Sequence, residues 1–306
     1  LNSNFSLLKK NKKEGGMNKS ILILIAVVCV VILFIWVLVG GIKVVKFFNF
    51  KGLLGEDKVL LTAHRGLSSK YPENTLIAFE KALGCSDILE FDVRFTKDKV
   101  LVIMHDESVN RTTNGRGRVS DLTLEEIKKL DAGRWFDKEF KGEMVPTLQE
   151  VFEKFGKKTR LAVEIKEFKD KKLCLFMAEE CVRLAEKYDL ENNVLFISFD
   201  HDVLKKIKEI KPSVNICLLF GLRKVSKDLI KQNKLVDYIN QYGGEGAFLN
   251  KKLAKKSLID DLKKHGLIVG IYTIDEASGA KRQVGLGVDM ICSNKPDYLK
   301  RILLEE

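Results

Sequence analysis

Glu90 and Asp92 stand two residues apart in Leu89-Glu90-Phe91-Asp92-Val93-Arg94-Phe95, a stretch that is otherwise largely apolar. On a strand such residues share a face, so the two carboxylates project together while Leu89, Phe91 and Val93 point the other way. Like charges this close raise each other's pKa unless a cation lies between them. An oxygen-only donor pair of this kind suits a hard divalent ion, Mg²⁺ or Ca²⁺. Three further groups close apolar runs: His64-Arg65-Gly66, His105-Asp106, and Glu164-Ile165-Lys166, which adds a third carboxylate and a cation on one face. Taken singly, each has a plain structural explanation, since solvated strand faces and Glu/Lys surface pairs are common. Together, two histidines, three acids and two cations supply a metal, anion clamps and a proton donor–acceptor pair. The remaining histidines, His201 and His265, fall in polar helical surroundings and are expected on the surface.

Apolar runs that read as strands cover Val59–Ala63, Ile88–Val93, Arg160–Ile165, Val194–Phe199, Asn215–Phe220, Asp237–Asn240, Leu267–Ile274 and Asp289–Ser293. Between them Asn74–Leu83, Leu173–Tyr188, Val203–Ile210, Lys252–His265 and Gly279–Gly285 repeat apolar residues at three and four, as helices do. Strands alternating with helices over residues 59–306 predict a (β/α)₈ TIM barrel, whose chemistry sits at the carboxyl ends of its strands. Residues 106–145 are irregular and polar, too long for an ordinary connection, and predict a lid or small subdomain inserted after the second strand.

The 306 residues carry a formal charge of +11, but residues 1–58 alone hold nine lysines against Glu14, Glu56 and Asp57. Concentrating the charge at one end argues against a nucleic-acid-binding face. Six cysteines are scattered without a CxxC pair, which predicts free core thiols rather than a disulfide framework. From Ile21 to Ile42 no residue is charged; at about 1.5 Å per helical residue this run covers roughly the 30 Å of a bilayer core. The expected organisation is a polar segment over 1–20, a single transmembrane helix over 21–42, a juxtamembrane linker over 43–58 and the barrel beyond. The run is longer than the apolar region of a cleaved signal peptide, and an uncleaved anchor is expected. Lysines flank it on both sides, and whether Leu1 or Met17 begins the chain reverses the orientation they favour.

Read with Pro72-Glu73-Asn74-Thr75, Arg111-Thr112-Thr113, Asp131 to Phe136, Pro146-Thr147-Leu148 and the segment Asp289 to Pro296, these motifs make the chain from about Val59 onward resemble the glycerophosphodiester phosphodiesterase family. The resemblance implies a TIM barrel that hydrolyses glycerophosphodiesters to sn-glycerol 3-phosphate and an alcohol with a divalent cation, Mg²⁺ or Ca²⁺. It implies that Glu90, Asp92 and Glu164 hold the metal, that His64 and His105 serve as acid and base, and that Arg65 and Lys166 grip the phosphate. Asp98-Lys99 stands where such proteins often have Asp-Gly, Tyr272 where many carry tryptophan, and Ser293-Asn294 where Thr-Asp is common. Either a glycerol hydroxyl attacks phosphorus, giving a cyclic phosphate that water opens, or water attacks directly; the same residues serve both routes. Rival readings are a phospholipase C- or D-like barrel acting on lysophospholipids, which the apolar anchor favours, and a catalytically silent, membrane-tethered binding protein, which the intact set of acids and histidines opposes.

Overall fold

A computed structural model describes residues 58–168 and 170–304. The expected segment 1–20, the transmembrane helix 21–42 and the linker up to residue 57 lie outside the described residues. Among the described residues no helix is long and apolar enough to cross a membrane.

Among the described residues nine strands form one sheet: β1 (Leu60–His64), β2 (Ile88–Phe95), β3 (Leu101–Ile103), β4 (Arg160–Ile165), β5 (Val194–Ser198), β6 (Asn215–Phe220), β7 (Gly246–Asn250), β8 (Ile268–Tyr272) and β9 (Met290–Ser293). Eight of them are parallel, and β1 closes the ring by pairing with both β2 and β9. The ninth, β3, runs antiparallel to the far end of β2. Parallel strands are covered on both faces, so they read as nearly unbroken apolar runs; β5 and β6 are buried throughout. Leu195, Cys217, Phe248, Ile268 and Met290 belong to a small interior cluster. A larger cluster packs the outer strand faces against the helices.

Those helices are α1 (Leu76–Ala82), α2 (Leu124–Lys128), α3 (Leu148–Phe155), α4 (Lys171–Lys187), α5 (His201–Ile210), α6 (Lys224–Lys231), α7 (Leu235–Gln241), α8 (Lys256–Lys264), α9 (Ala277–Leu286) and α10 (Pro296–Leu304). Seven of the eight expected strands match to within two residues at each end or extend further. The exception is Asp237–Asn240, which lies inside α7. Leu235, Val236 and Ile239 are its buried residues, a one-and-four spacing that belongs to a helix. The strand expected there is instead β7, beyond Gly243-Gly244. A Cβ on Gly246 would lie 2.1 Å from the Ile268 carbonyl oxygen of β8, so the sheet at this point accepts only glycine.

The stretch 106–145 is a packed subdomain rather than a loose flap. Val102, Met104, Val109, Val119, Ile127, Ala132 and Val145 form a core of their own. The hairpin of β2 and β3 ties this core to the barrel, with Met104 N donating to Asp92 O at 2.9 Å and Ile103 N to Pro146 O at 2.8 Å. In the hairpin turn Lys99 adopts φ +63°, keeping the left-handed turn that glycine would fill.

Candidate active site

Sheet register sets the site. Asp92 of β2 lies directly beside Glu164 of β4, and Glu90 of β2 beside His64 of β1. Adjacent parallel strands in register place same-face residues side by side, so the acids separated by some seventy residues in sequence become neighbours. One carboxylate oxygen from each of Glu90, Asp92 and Glu164 falls within 4.8 Å of the others, and all three residues are buried.

Cations lie close around the cluster. Lys166 Nζ is 2.7 Å from Asp92 Oδ1 and 2.5 Å from Glu164 Oε1. Arg65 donates its backbone N–H to Glu90 Oε2 at 2.8 Å, and its Nε stands 3.4 Å from Asp92 Oδ2. Asn74 Nδ2 donates to the same Asp92 Oδ2 at 2.7 Å. Arg65 and Asn74 take positive φ, +57° and +60°, which turns them back over the end of β1 toward the acids.

Burial pushes Glu90 well above the usual carboxylate range, and the charges of Asp92 and Glu164 push it further. Burial also raises Glu164, with Asp92 adding to it against Lys166. At Asp92 burial works upward too, but Lys166 and Arg65 outweigh it and hold the acid low. Two buried carboxylates forced toward their neutral forms beside a third held anionic are what a missing charge of +2 would relieve. Asp92 Oδ1 supports this: it is buried and lacks an aligned hydrogen-bond donor, although Lys166 Nζ is close by. An all-oxygen, buried, carboxylate donor set of this size fits a hard divalent cation.

Each histidine has its own support. His64 Nδ1 is 2.7 Å from Asn294 Oδ1. Asn294 in turn donates Nδ2 to Asp275 Oδ2 at 2.8 Å, which fixes its amide and makes its oxygen face the ring. His64 Nδ1 therefore carries the proton and Nε2 keeps its lone pair. Burial and the neighbouring Arg65 charge lower His64 to about 4, so it is neutral at pH 7. His105 Nδ1 is 2.7 Å from Asp106 Oδ1, a carboxylate rather than an amide. Asp106 is bound by Arg111 at 2.7 and 3.0 Å; Arg111 also holds Glu73, and Glu73 accepts from Arg65 at 2.8 Å. Burial lowers His105, and Asp92 opposes it. His64 stands opposite Glu90 in the β1–β2 register and His105 lines one cavity with Glu164 and Lys166, so both imidazoles border the acid cluster.

All seven residues expected from the sequence are brought together here. The supporting residues Glu73, Asn74, Asp106, Arg111, Asp275 and Asn294 received no role from the sequence. Most sit inside the motifs, and the adjacency of Asp106 to His105 was the available signal. His201, expected on the surface, instead lines a cavity at the barrel mouth, bonded to Leu219 O at 3.0 Å and to the Tyr238 hydroxyl at 3.1 Å. Its first-turn place on α5, directly after β5, aims it at the barrel mouth. His265 is exposed, as its surroundings predicted.

A barrel of parallel strands with a buried acid cluster and two supported imidazoles at one mouth defines a hydrolase-type site. The family model described as "Glycerophosphoryl diester phosphodiesterase family" matches residues 64–298, and the chain belongs to that family of enzymes. A glycerophosphodiester phosphodiesterase of Caldanaerobacter subterraneus subsp. tengcongensis is 38% identical over 246 residues, covering 79% of this chain and 96% of the relative. A glycerophosphodiester phosphodiesterase of Bacillus subtilis is 31% identical over 262 residues, covering 82% and 88%. Among solved structures, the Oleispira antarctica phosphodiesterase in complex with the product sn-glycerol-3-phosphate superposes with a TM-score of 0.71 at 26% identity, over 80% of this chain and 96% of that one. The Agrobacterium tumefaciens glycerophosphodiester phosphodiesterase gives 0.68 at 27% identity, over 80% and 100%.

Proposed function

We propose that the protein hydrolyses glycerophosphodiesters to sn-glycerol 3-phosphate and an alcohol, using a divalent cation, Mg²⁺ or Ca²⁺, held by Glu90, Asp92 and Glu164. The observation that carries the reading is the three-carboxylate cluster, with His64 opposite Glu90 in the strand register and His105 on the same cavity wall as Glu164 and Lys166. When bound, the cation supplies Lewis-acid charge against the phosphate oxygens. Arg65 and Lys166 border the same space and neutralise the growing negative charge on phosphorus as the nucleophile arrives. His64, neutral and with Nε2 unprotonated, takes the proton from the attacking hydroxyl. His105 is backed by a carboxylate, which stabilises its imidazolium form, and it delivers a proton to the departing alcohol oxygen. Its place on the wall of the large cavity supports this division of labour.

The experiment is release of glycerol 3-phosphate from a glycerophosphodiester. Activity is expected with Mg²⁺ or Ca²⁺, with loss on chelation and a fall of about 10³-fold or more in Glu90→Gln; full turnover in chelator would overturn the metal reading. The same proposal places the chain at a membrane as a single-pass protein through Ile21–Ile42, a reading supported by the uncharged length of that run. Recovery of the full chain in the membrane fraction, resistant to carbonate washing, tests it.

A further inference from the structure

His105 is not aimed by its nearest partner alone. Asp106 is its neighbour in sequence and meets Nδ1 at 2.7 Å, yet both side chains are partly exposed, and an exposed pair of this kind is held weakly. Among the described residues the other side-chain partner of Asp106 is Arg111, whose Nε donates to Oδ2 at 2.7 Å and Nη2 to Oδ1 at 3.0 Å. The end of the same guanidinium grips Glu73, Nη1 donating to Oε2 at 2.9 Å and Nη2 to Oε1 at 2.8 Å. Two paired sets of bonds from one planar group fix orientation as well as distance. We propose that Arg111 is a positioning residue: by joining Asp106 to Glu73 it locks the His105 ring in the attitude needed to protonate the departing alcohol. This rests on the hydrolytic reading above, with His105 as its acid.

Both ends of this bridge are seated. Glu73 lies between β1 and α1, on the barrel side, and accepts from Arg65 Nη1 at 2.8 Å as well. Arg111 belongs to the inserted subdomain, and the two residues after it are buried. Thr112 donates its hydroxyl to Met104 Sδ at 3.3 Å, and Thr113 donates to Val109 O at 2.7 Å. Met104 and Val109 are members of the subdomain core, so the backbone that carries Arg111 is tied to packed side chains. Charges alternate along Arg65, Glu73, Arg111 and Asp106, which makes each contact attractive and links the phosphate clamp to the acid. Arg65 depends less on the bridge than His105 does, because its backbone N–H holds Glu90 and its Nε faces Asp92. The loss of Arg111 therefore falls on Asp106 and, through it, on the imidazole. The Arg111 side chain is 43% exposed, so removing it opens no cavity in a core.

The test measures kcat and KM on two esters of glycerol phosphate, the ethyl ester and the p-nitrophenyl ester, whose phenolate leaves without a proton. In Arg111→Ala, kcat on the ethyl ester is expected to fall about 10–10²-fold, the scale of a misaimed group, with KM nearly unchanged and most of the loss recovered on the p-nitrophenyl ester. Arg111→Lys keeps the charge but not the fork, and should regain little of that loss. Adding Arg111→Ala to His105→Ala should cost the ethyl ester almost nothing more, since a residue that acts through the imidazole then has nothing left to position. The ratio of the two esters does not depend on the fraction of folded enzyme, so a partly unfolded variant leaves the comparison intact. Equal loss on both esters, full activity in Arg111→Ala or Arg111→Lys, or an additive double variant overturns the inference, while release of glycerol 3-phosphate by the native protein upholds the hydrolytic reading. If the native protein cleaves neither ester, that reading fails and this inference with it.

Discussion

At the scale of single residues, the two histidines differ in what stands behind them. His64 leans on an amide whose orientation Asp275 dictates, and His105 leans on the Asp106 carboxylate. If His105 protonates the leaving oxygen, its loss hurts only alcohols that need a proton. His105→Ala should lower kcat about 10²–10⁴-fold on an alkyl ester and recover most of that on a p-nitrophenyl ester, whose phenolate leaves unaided. His64→Ala should be equally slow on both, and measuring the two esters side by side separates acid from base. The shared face of Glu90 and Asp92 was legible from their spacing, because alternation on a strand is a property of neighbouring residues. The chain of Asp106, Arg111 and Glu73 was not: its hydrogen bonds join residues up to 38 positions apart through loops whose paths no local pattern records. His201 was misread for a related reason, since the polarity of its own helix says nothing of Phe220, Tyr238 and Tyr242 packed around it.

Elements carry two further expectations. Lys99 occupies a left-handed position at φ +63°, and its ammonium rests 5.4 Å from the centre of the Phe176 ring. Relieving the backbone strain favours glycine by about 1 kcal/mol, while the lost cation–π contact and the greater freedom of the unfolded chain each return about half of that or more. Lys99→Gly should therefore change stability by less than about 1 kcal/mol in chemical denaturation, well below what removal of a buried group costs. Thr147 begins α3 with a capping box, its hydroxyl accepting from Glu150 N while Glu150 accepts from Thr147 N at 2.7 Å. Thr147→Ala should cost about 1 kcal/mol, read from the same denaturation midpoint. The strands of the barrel were largely legible because burial on both faces leaves continuous apolar runs. β7 escaped because Gly246 breaks its run at the point where two backbones meet, and α7, short and apolar on one side, imitates a strand.

For the molecule as a whole, three partly buried histidines set a pH limit. Burial lowers His64, to about 4, and also lowers His105 and His201. Each folded-state value lies below the unfolded one near 6.5, so the stability is whole above that pH and drains away as pH falls toward the folded values, where the unfolded chain alone takes up protons. Thermal unfolding in chelator should carry this histidine drop between about pH 6.5 and 4, with His64 alone accounting for at most about 3 kcal/mol, set against the opposite contribution of Glu90 and Glu164, whose raised values add stability as pH falls. His201→Gln should shallow that drop. The closed ring was foreseen from the alternation of elements, but not that β2 would be shared between two bodies. One end of β2 belongs to the barrel and the other pairs with β3, and Arg94 clasps the His105 carbonyl at 2.9 and 3.0 Å. His105 and the buried acids Glu90 and Asp92 are thereby mounted on a single ribbon whose outer half roots the inserted subdomain. Exchanging that subdomain with a homologue's would transplant His105 along with the cap, so under the mechanism proposed above chimeras cut at this hairpin inherit reactivity as well as access.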